Sequence, residues 1–155
     1  MDWKTLFFSP DGRIGRSTFW IGWLVLLGVN VVLGWIPLVG FLLSLVTIYC
    51  FVCVASKRLH DFGRSGFLQV IPIVLCTILC IGAIVMVAGP AIMAGLADAN
   101  DDAIMAAVFA GIGGMMLAFL AAFLIGGGFL LWIGISLGDK GENRYGPPPA
   151  TAVIA

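Results

Sequence analysis

Charged residues are scarce in this sequence, and their scarcity excludes a soluble fold. Asp, Glu, Lys and Arg make up 10% of the 155 residues, whereas apolar residues make up 61%. Soluble domains contain about 25% charged and about 45–50% apolar residues. Soluble enzymes, nucleic-acid-binding proteins and disordered tails are therefore excluded, and we expect no nucleic-acid partner.

The charges that are present are confined to short segments. Three runs of 40, 33 and 36 residues contain none, and they are 17–56, 65–97 and 103–138. A charged side chain at the bilayer centre costs roughly 2.5–3.5 kcal/mol on insertion scales, and a spanning helix needs about 20 residues. The first run is long enough for two helices, and each of the others holds one. The sequence thus predicts an all-α integral membrane protein with four spans.

Proline and glycine indicate where the first run divides. Pro37 disfavours helix at the residue before it, and Gly40 permits a tight turn. The predicted spans are 18–35, 38–56, 67–88 with a possible extension to 97, and 103–137 with a membrane part of 113–137. We expect a single membrane domain over 1–155, a four-helix bundle of two helical hairpins, with a cytoplasmic tail at 138–155.

The distribution of basic residues predicts the orientation. All eight Lys and Arg residues precede the first span, separate the second from the third, or follow the fourth, and the connections 35–40 and 98–102 have none. Short loops rich in Lys and Arg stay in the cytoplasm, so both termini and the 57–66 loop are predicted to be cytoplasmic. Residues 1–8 form a short amphipathic segment that we expect to lie flat on the inner leaflet.

The second predicted hairpin is longer than the membrane is thick. As continuous helices, 67–97 and 103–137 would measure about 46 Å and about 52 Å, against a hydrocarbon core of ~30 Å. Gly89, Pro90 and the glycines at 111–114 lie at similar distances from the acidic turn. Either the helices continue as a hairpin that projects outward, or they break at these sites and lie along the outer interface. A row of small residues favours projection.

That row occupies every fourth position of the last predicted helix. It consists of Ala106, Ala110, Gly114, Ala118, Ala122 and Gly126. Small residues at this spacing form a groove in which a second helix packs closely, since lipid offers no hydrophobic force to hold helices together. The row either packs on the third span of the same chain or forms the seam of a homo-oligomer.

The four cysteines lie in two pairs, Cys50 with Cys53 and Cys76 with Cys80, each one helical turn apart. Both pairs lie toward the cytoplasmic half, where thiols stay reduced, so we expect buried structural cysteines rather than a redox or metal site. The uncharged runs also lack the titratable carboxylate that proton-coupled transport requires. With one histidine in the chain, we predict no catalytic triad, no metal, no cofactor and no enzymatic activity.

The most polar connection lies between the second and third spans. Asp61 is three residues from both Arg58 and Arg64, so it can pair with either where the backbone is helical or turned. In the structural interpretation, ion pairs make this loop rigid, and the loop fixes the ends of the two helices that it joins. In the functional interpretation, the two arginines and His60 bind a phosphate or a lipid headgroup. A role for His60 as a general base or metal ligand is less favoured, since other ligands are lacking.

Three motifs together resemble a known family. They are Gly-Arg-Ile-Gly-Arg at 12–16 before Phe19 and Trp20, Arg-Leu-His-Asp-Phe-Gly-Arg-Ser-Gly at 58–66, and Gly-Glu-Asn-Arg-Tyr-Gly-Pro at 141–147. They resemble the bacterial YhaH/YhaI-like inner-membrane family, a domain of unknown function, over residues 5–149. The resemblance implies a small multi-span protein of the bacterial inner membrane and brings no established reaction or ligand.

In the predicted topology all three motifs lie on the cytoplasmic face. The predicted cluster comprises Arg13, Arg16, Arg58, His60, Asp61, Arg64, Asn143, Arg144 and Tyr145. We expect Asp61 to be its central acceptor and to hold arginines from the other segments, so that both termini dock on the loop.

The expected function is that of a non-enzymatic membrane protein whose Arg-rich face contacts anionic lipid or a protein partner. A small oligomeric channel or transporter, packed through the Gly/Ala face of the last helix, is the alternative. A membrane thiol oxidoreductase is the third.

Overall fold

The structure is a computed structural model that describes residues 2–97 and 100–149. The predicted acidic turn falls partly on 98–99 and the end of the predicted tail on 150–155, which lie outside the described residues. The elements are α1 (Trp3–Phe8), α2 (Arg16–Leu33), α3 (Pro37–Asp61), a 3-10 turn (Gly66–Gln69), α4 (Val70–Leu96) and α5 (Asp101–Ile135).

Within residues 2–97 and 100–149, four helices are long and apolar enough to cross a membrane, and they cover Arg16–Leu33, Pro37–Asp61, Gly66–Leu96 and Asp101–Ile135. Most of their large apolar side chains are exposed, as in a protein whose solvent is lipid and not water. The only strand-like pairing in the described part of the chain is an isolated bridge between Asn143 and Gly146. The predicted all-α, four-helix membrane fold is confirmed.

The helix ends differ from the predicted bounds, most clearly in α3. The sequence predicts an end of this helix near 56, but the helix continues to Asp61. Residues 57–61 are therefore helical and not a loop, because their charged side chains are buried and hydrogen-bonded within the protein. The reversal is confined to the residues after α3, where Gly63 has a φ of 69°, a conformation that favours glycine.

The contacts divide the chain into two compact units, one of Met1–Gln69 with Leu131–Ala155 and one of Val70–Leu130. In the first unit, α2 and α3 form a hairpin that turns between Gly34 and Gly40. A side chain on Gly40 would overlap the carbonyl of Gly34, so the backbones meet directly. Within the hairpin, the Thr47 hydroxyl donates to the side-chain oxygen of Asn30 at 3.4 Å, which satisfies polar groups that lipid cannot.

The amphipathic N-terminal segment forms the six-residue helix α1, which lies against α3. Leu6 is buried, the Tyr49 hydroxyl donates to the Phe8 carbonyl at 3.2 Å, and the Lys57 ammonium donates to a carbonyl of α1. Asp2 caps the helix, and its hydrogen bond with the Thr5 hydroxyl lowers the pKa of the Asp2 carboxyl. Side-chain hydrogen bonds thus hold the N-terminal segment on the protein.

In the second unit, α4 continues through Pro90 and α5 continues through the glycines at 111–114 without interruption. Because Pro90 has no N–H, the carbonyl of Met86 lacks its regular helical donor. Gly111 lies at this place, where a Cβ atom would be 2.6 Å from the Met86 oxygen and 2.7 Å from the Val87 Cα. The two helices therefore do not break at their Gly and Pro sites, as the interfacial alternative required.

Candidate functional site

The three motifs meet at an Arg–Asp–Arg cluster in the first unit. One oxygen of Asp61 accepts hydrogen bonds from Arg13 Nε at 3.2 Å and Nη2 at 3.1 Å, and the other accepts from Arg58 Nη1. The side chains of Arg13, Arg58 and Asp61 are 1%, 0% and 4% exposed. Taking such charges out of water is costly unless every group is paired, so the surrounding hydrogen bonds decide whether the cluster is stable.

Arg58 connects the end of α3 to the end of α5. Its Nε donates to the carbonyl of Ile133 at 2.9 Å, and Nη2 donates to the carbonyl of Ser136. Its Nη1 also donates a hydrogen bond to the Ile14 carbonyl at 3.4 Å. The last carbonyls of a helix lack intrahelical donors and carry the negative end of its dipole, so a guanidinium is well suited to this place.

Arg13 connects the segment before α2 to the chain after α5. Besides Asp61, it donates to the carbonyls of Asp139 at 2.6 Å, Gly141 at 2.8 Å and Gly146 at 3.1 Å. One side chain thus organises three separate points of the C-terminal segment. The start of α2 and the ends of α3 and α5 consequently lie at the same end of this unit.

Glycine is required where the C-terminal segment crosses Asp61. A side chain on Gly138 would overlap the Asp61 carboxylate, and the Asp139 N–H donates to the Asp61 carbonyl at 2.8 Å. The missing side chain is therefore what lets the backbone pass against the ion pair.

A second layer of ring and backbone contacts covers the cluster. The rings of His60 and Tyr145 are stacked, with centroids 3.7 Å apart, and the Arg144 guanidinium lies 4.8 Å from the Tyr145 ring. The Asn143 amide donates to the His60 carbonyl at 3.0 Å, and His60 Nδ1 is 3.3 Å from the Gly12 carbonyl. These side chains join both terminal segments to the last turn of α3.

Arg16 and Arg64 are placed differently from the rest of the predicted cluster. Both are exposed, and neither side chain has a hydrogen bond or ion pair with the described residues. The possible pairing of Arg64 with Asp61 is not formed, because Arg13 and Arg58 occupy the carboxylate. Lys140, which was not among the predicted site residues, is likewise exposed and unpaired within the described chain.

A cavity of about 440 Å³ lies beside the cluster. Among the residues that line it are Gly15, Arg16, Arg58, Lys140 and Pro148. It joins the start of α2 to the segment after α5. Two of the cations that line the cavity, Arg16 and Lys140, are exposed, and the third, Arg58, is buried.

Sequence reasoning missed two further buried polar side chains. Lys57 is 4% exposed and donates to the Thr5 carbonyl. The Gln69 amide donates to the Val52 carbonyl at 3.3 Å and to the Ser56 hydroxyl at 2.7 Å, while its carbonyl oxygen has no partner within the described residues. Their hydrogen bonds go largely to backbone carbonyls, which leave no pattern in a sequence.

The predicted row of small residues lies partly against α4 of the same chain. A Cβ atom on Gly114 would be 2.8 Å from the Met86 sulfur, and one on Gly126 would be 4.0 Å from the Cys76 sulfur. The Cys76 thiol donates to the Ala122 carbonyl at 3.5 Å. The remaining members are Ala106, which is exposed, Ala110, which lines an apolar cavity with Gly114, and Ala118, which is half-buried.

The cysteines and the possible metal ligands were the other chemical groups of interest in the sequence. Cys50 and Cys53 are buried, Cys76 and Cys80 are half-buried, and all four are free thiols. Within the described residues, no group of three or more His, Cys, Asp or Glu side chains is placed to hold a metal ion.

Comparison with known proteins identifies relatives without assigning an activity. A family model described as "Protein of unknown function (DUF805)" matches residues 7–147. The chain is 31% identical over 147 residues to the "Uncharacterized protein YiiR" of Escherichia coli strain K12, with 90% of this chain and 84% of that protein covered. The protein of the same name from Escherichia coli O157:H7 matches equally. No solved structure matches the chain.

Proposed function

The chain belongs to the DUF805 family of proteins of unknown function, and we propose that it is a non-enzymatic protein of the bacterial inner membrane whose basic cytoplasmic face binds anionic phospholipid. Both termini and the connection between α3 and α4 face the cytoplasm in this proposal, because short basic loops are retained there. The three motifs also support the relation to the YhaH/YhaI-like inner-membrane proteins that they resemble.

One observation carries the proposal: three exposed cations accompany a buried ion cluster whose own arginines are already hydrogen-bonded within the protein. Arg16, Arg64 and Lys140 have no partner among the described residues, whereas Arg13 and Arg58 are fully engaged. The cytoplasmic leaflet is anionic and attracts nearby basic side chains by about 1 kcal/mol each. The unpaired cations are therefore the groups available to a ligand.

The position of Arg16 favours lipid over a cytoplasmic protein partner. It is the first residue of α2, a helix long and apolar enough to span the membrane. A basic residue at the end of a span lies at the depth of the headgroups, where phosphates are concentrated. A soluble partner would have to reach the same group through the headgroup layer.

The placement of the histidine supports a non-enzymatic role. The His60 ring is stacked on Tyr145, and its Nδ1 is near the Gly12 carbonyl. A general base must reach the proton that it abstracts, and one face and the Nδ1 atom of this ring are in contact with the terminal segments. The channel alternative has less support, because Gly114, Ala122 and Gly126 of α5 lie against α4 of the same chain.

Native mass spectrometry of the full chain from mild detergent tests the proposal. With phosphatidylglycerol and phosphatidylcholine supplied equally, we expect a monomer that retains phosphatidylglycerol preferentially. The combined variant Arg16→Gln, Arg64→Gln and Lys140→Gln should lose the preference while still folding. Equal retention of the two lipids by the unmodified protein would refute preferential binding of anionic lipid, and a closed ring of subunits would favour the channel alternative.

A further inference from the structure

We propose that the cavity beside Arg16 and Lys140 is a binding site for one phosphate group, carried either by a phospholipid headgroup or by free phosphate. The proposal deepens the proposed function, because it takes from it the anionic nature of the ligand. It is narrower, since it assigns binding to this one cavity and not to the basic face as a whole.

The charges that line the cavity favour an anion. Arg16, Arg58 and Lys140 contribute positive charge, and Asp61 and Asp139 contribute negative charge. Both oxygens of Asp61 already accept hydrogen bonds from arginines, and a carboxylate oxygen of Asp139 accepts from the Asn143 amide at 2.8 Å. The two exposed cations have no such partners, and charge-assisted hydrogen bonds to phosphate are among the strong ones in proteins.

The start of α2 adds to the attraction. Gly15 is the N-cap of α2, and no side chain caps the helix there. Gly15 and Arg16 both line the cavity, so the uncapped first turn borders the same space as the cations. Free N–H groups and the positive end of the helix dipole stabilise anions at such a place.

The size of the cavity is that of a headgroup site. Its volume of about 440 Å³ falls in the range of roughly 300–1,000 Å³ that is usual for small-molecule sites. The walls are partly glycine, and Gly15 has nothing within 4 Å of the position that a Cβ atom would occupy. A larger side chain at Gly15 would therefore enter open space and would not displace the protein around it.

Single-charge variants distinguish the cavity from the surface. Arg16→Gln and Lys140→Gln remove cations that line it, and Arg64→Gln removes an exposed cation that is not among its lining residues. Short-chain phosphatidylglycerol, titrated calorimetrically into the detergent-solubilised full chain, gives the Kd. We expect Kd to rise about tenfold for either cavity variant and less than about twofold for Arg64→Gln, since hydrogen bonds to charged groups exceed surface attraction.

A steric variant tests the cavity without changing charge. Gly15→Leu should fill it, and Gly141→Leu is the matched control, because Gly141 also has open space at the Cβ position and is not among the lining residues. Thermal unfolding verifies that each variant folds. We expect Gly15→Leu to weaken phosphatidylglycerol binding as much as Arg16→Gln does, and Gly141→Leu to leave it unchanged.

A competition experiment with inorganic phosphate identifies the source of the phosphate group. If inorganic phosphate binds and displaces the lipid, free phosphate is a ligand; if only phosphatidylglycerol binds, the ligand is a headgroup, and both results support the site. Equal losses for Arg16→Gln and Arg64→Gln, or full binding by Gly15→Leu, would overturn it while leaving surface attraction intact. No lipid preference in the unmodified protein would instead refute the proposed function.

Discussion

Replacing Asp61 by asparagine should destabilise the protein more than any other change of a single carboxylate. The substitution keeps the size of the side chain and removes its charge. Arg13 and Arg58, whose side chains are 1% and 0% exposed, would then face each other without a counter-charge. The new amide N–H groups would also point at guanidinium donors, which accept no hydrogen bonds.

The size of the effect follows from burial. Breaking a buried pair by removing one partner costs about 3–5 kcal/mol, because an uncompensated charge is left behind. Arg13 and Arg58 keep their hydrogen bonds to backbone carbonyls, which favours the lower end of that range. We therefore expect the free energy of unfolding to fall by about 3 kcal/mol. Glu142→Gln is the control: Glu142 is exposed, and a surface change of this kind alters stability by about 0.5 kcal/mol or less.

Tryptophan fluorescence in mild detergent provides the assay. The Trp132 ring packs against the Phe62 ring beside the cluster, with ring centroids 5.5 Å apart. A double-mutant cycle with Arg13→Gln should show a coupling with Asp61→Asn of about 1 kcal/mol or more, as expected for residues in one hydrogen-bond network. If Asp61→Asn unfolds at the same denaturant concentration as Glu142→Gln, the buried ion cluster does not hold the terminal segments together.

Two glycine substitutions test close backbone approaches in the two units. Gly138→Ala should lower the free energy of unfolding by about 1–3 kcal/mol, because the methyl group overlaps the Asp61 carboxylate, whereas Gly141→Ala, which meets open space, should change it little. Gly111→Ala should cost a similar ~1–3 kcal/mol against the backbone of α4, and Gly113→Ala is its neutral control. Denaturant unfolding measures both pairs, and equal stability within either pair would contradict the corresponding approach.

The membrane architecture is predictable from the sequence because it depends on long-range composition. Uncharged runs of 40, 33 and 36 residues specify four spans whatever the details of packing are. The end of α3 was less predictable. The uncharged run ends at residue 56, before Lys57, and therefore predicts a helix end there. In the fold the charged side chains at 57–61 are hydrogen-bonded inside the protein, and the helix continues to Asp61.

The candidate site was likewise predictable in part. The pairing of Asp61 with Arg58 follows from a spacing of three residues on a helix, and shared placement on one face brought Arg13 into the candidate cluster. The other acceptors of both arginines are backbone carbonyls, among them those of Ile133 and Gly146. Every residue has such a carbonyl, so no residue type marks these bonds. The place of Lys140 in the cavity depends on the path of the chain after α5, which only the structure provides.

Thiol labelling in intact cells tests the orientation on which the lipid proposal depends. In a background without the four native cysteines, Ser65→Cys and Ala103→Cys place single thiols at the two opposite ends of the predicted spans. The account predicts that a membrane-impermeant reagent labels the thiol at 103 in intact cells and the one at 65 only after lysis. Labelling at 65 in intact cells, with protection at 103, would put the basic cluster outside the cell and contradict the account.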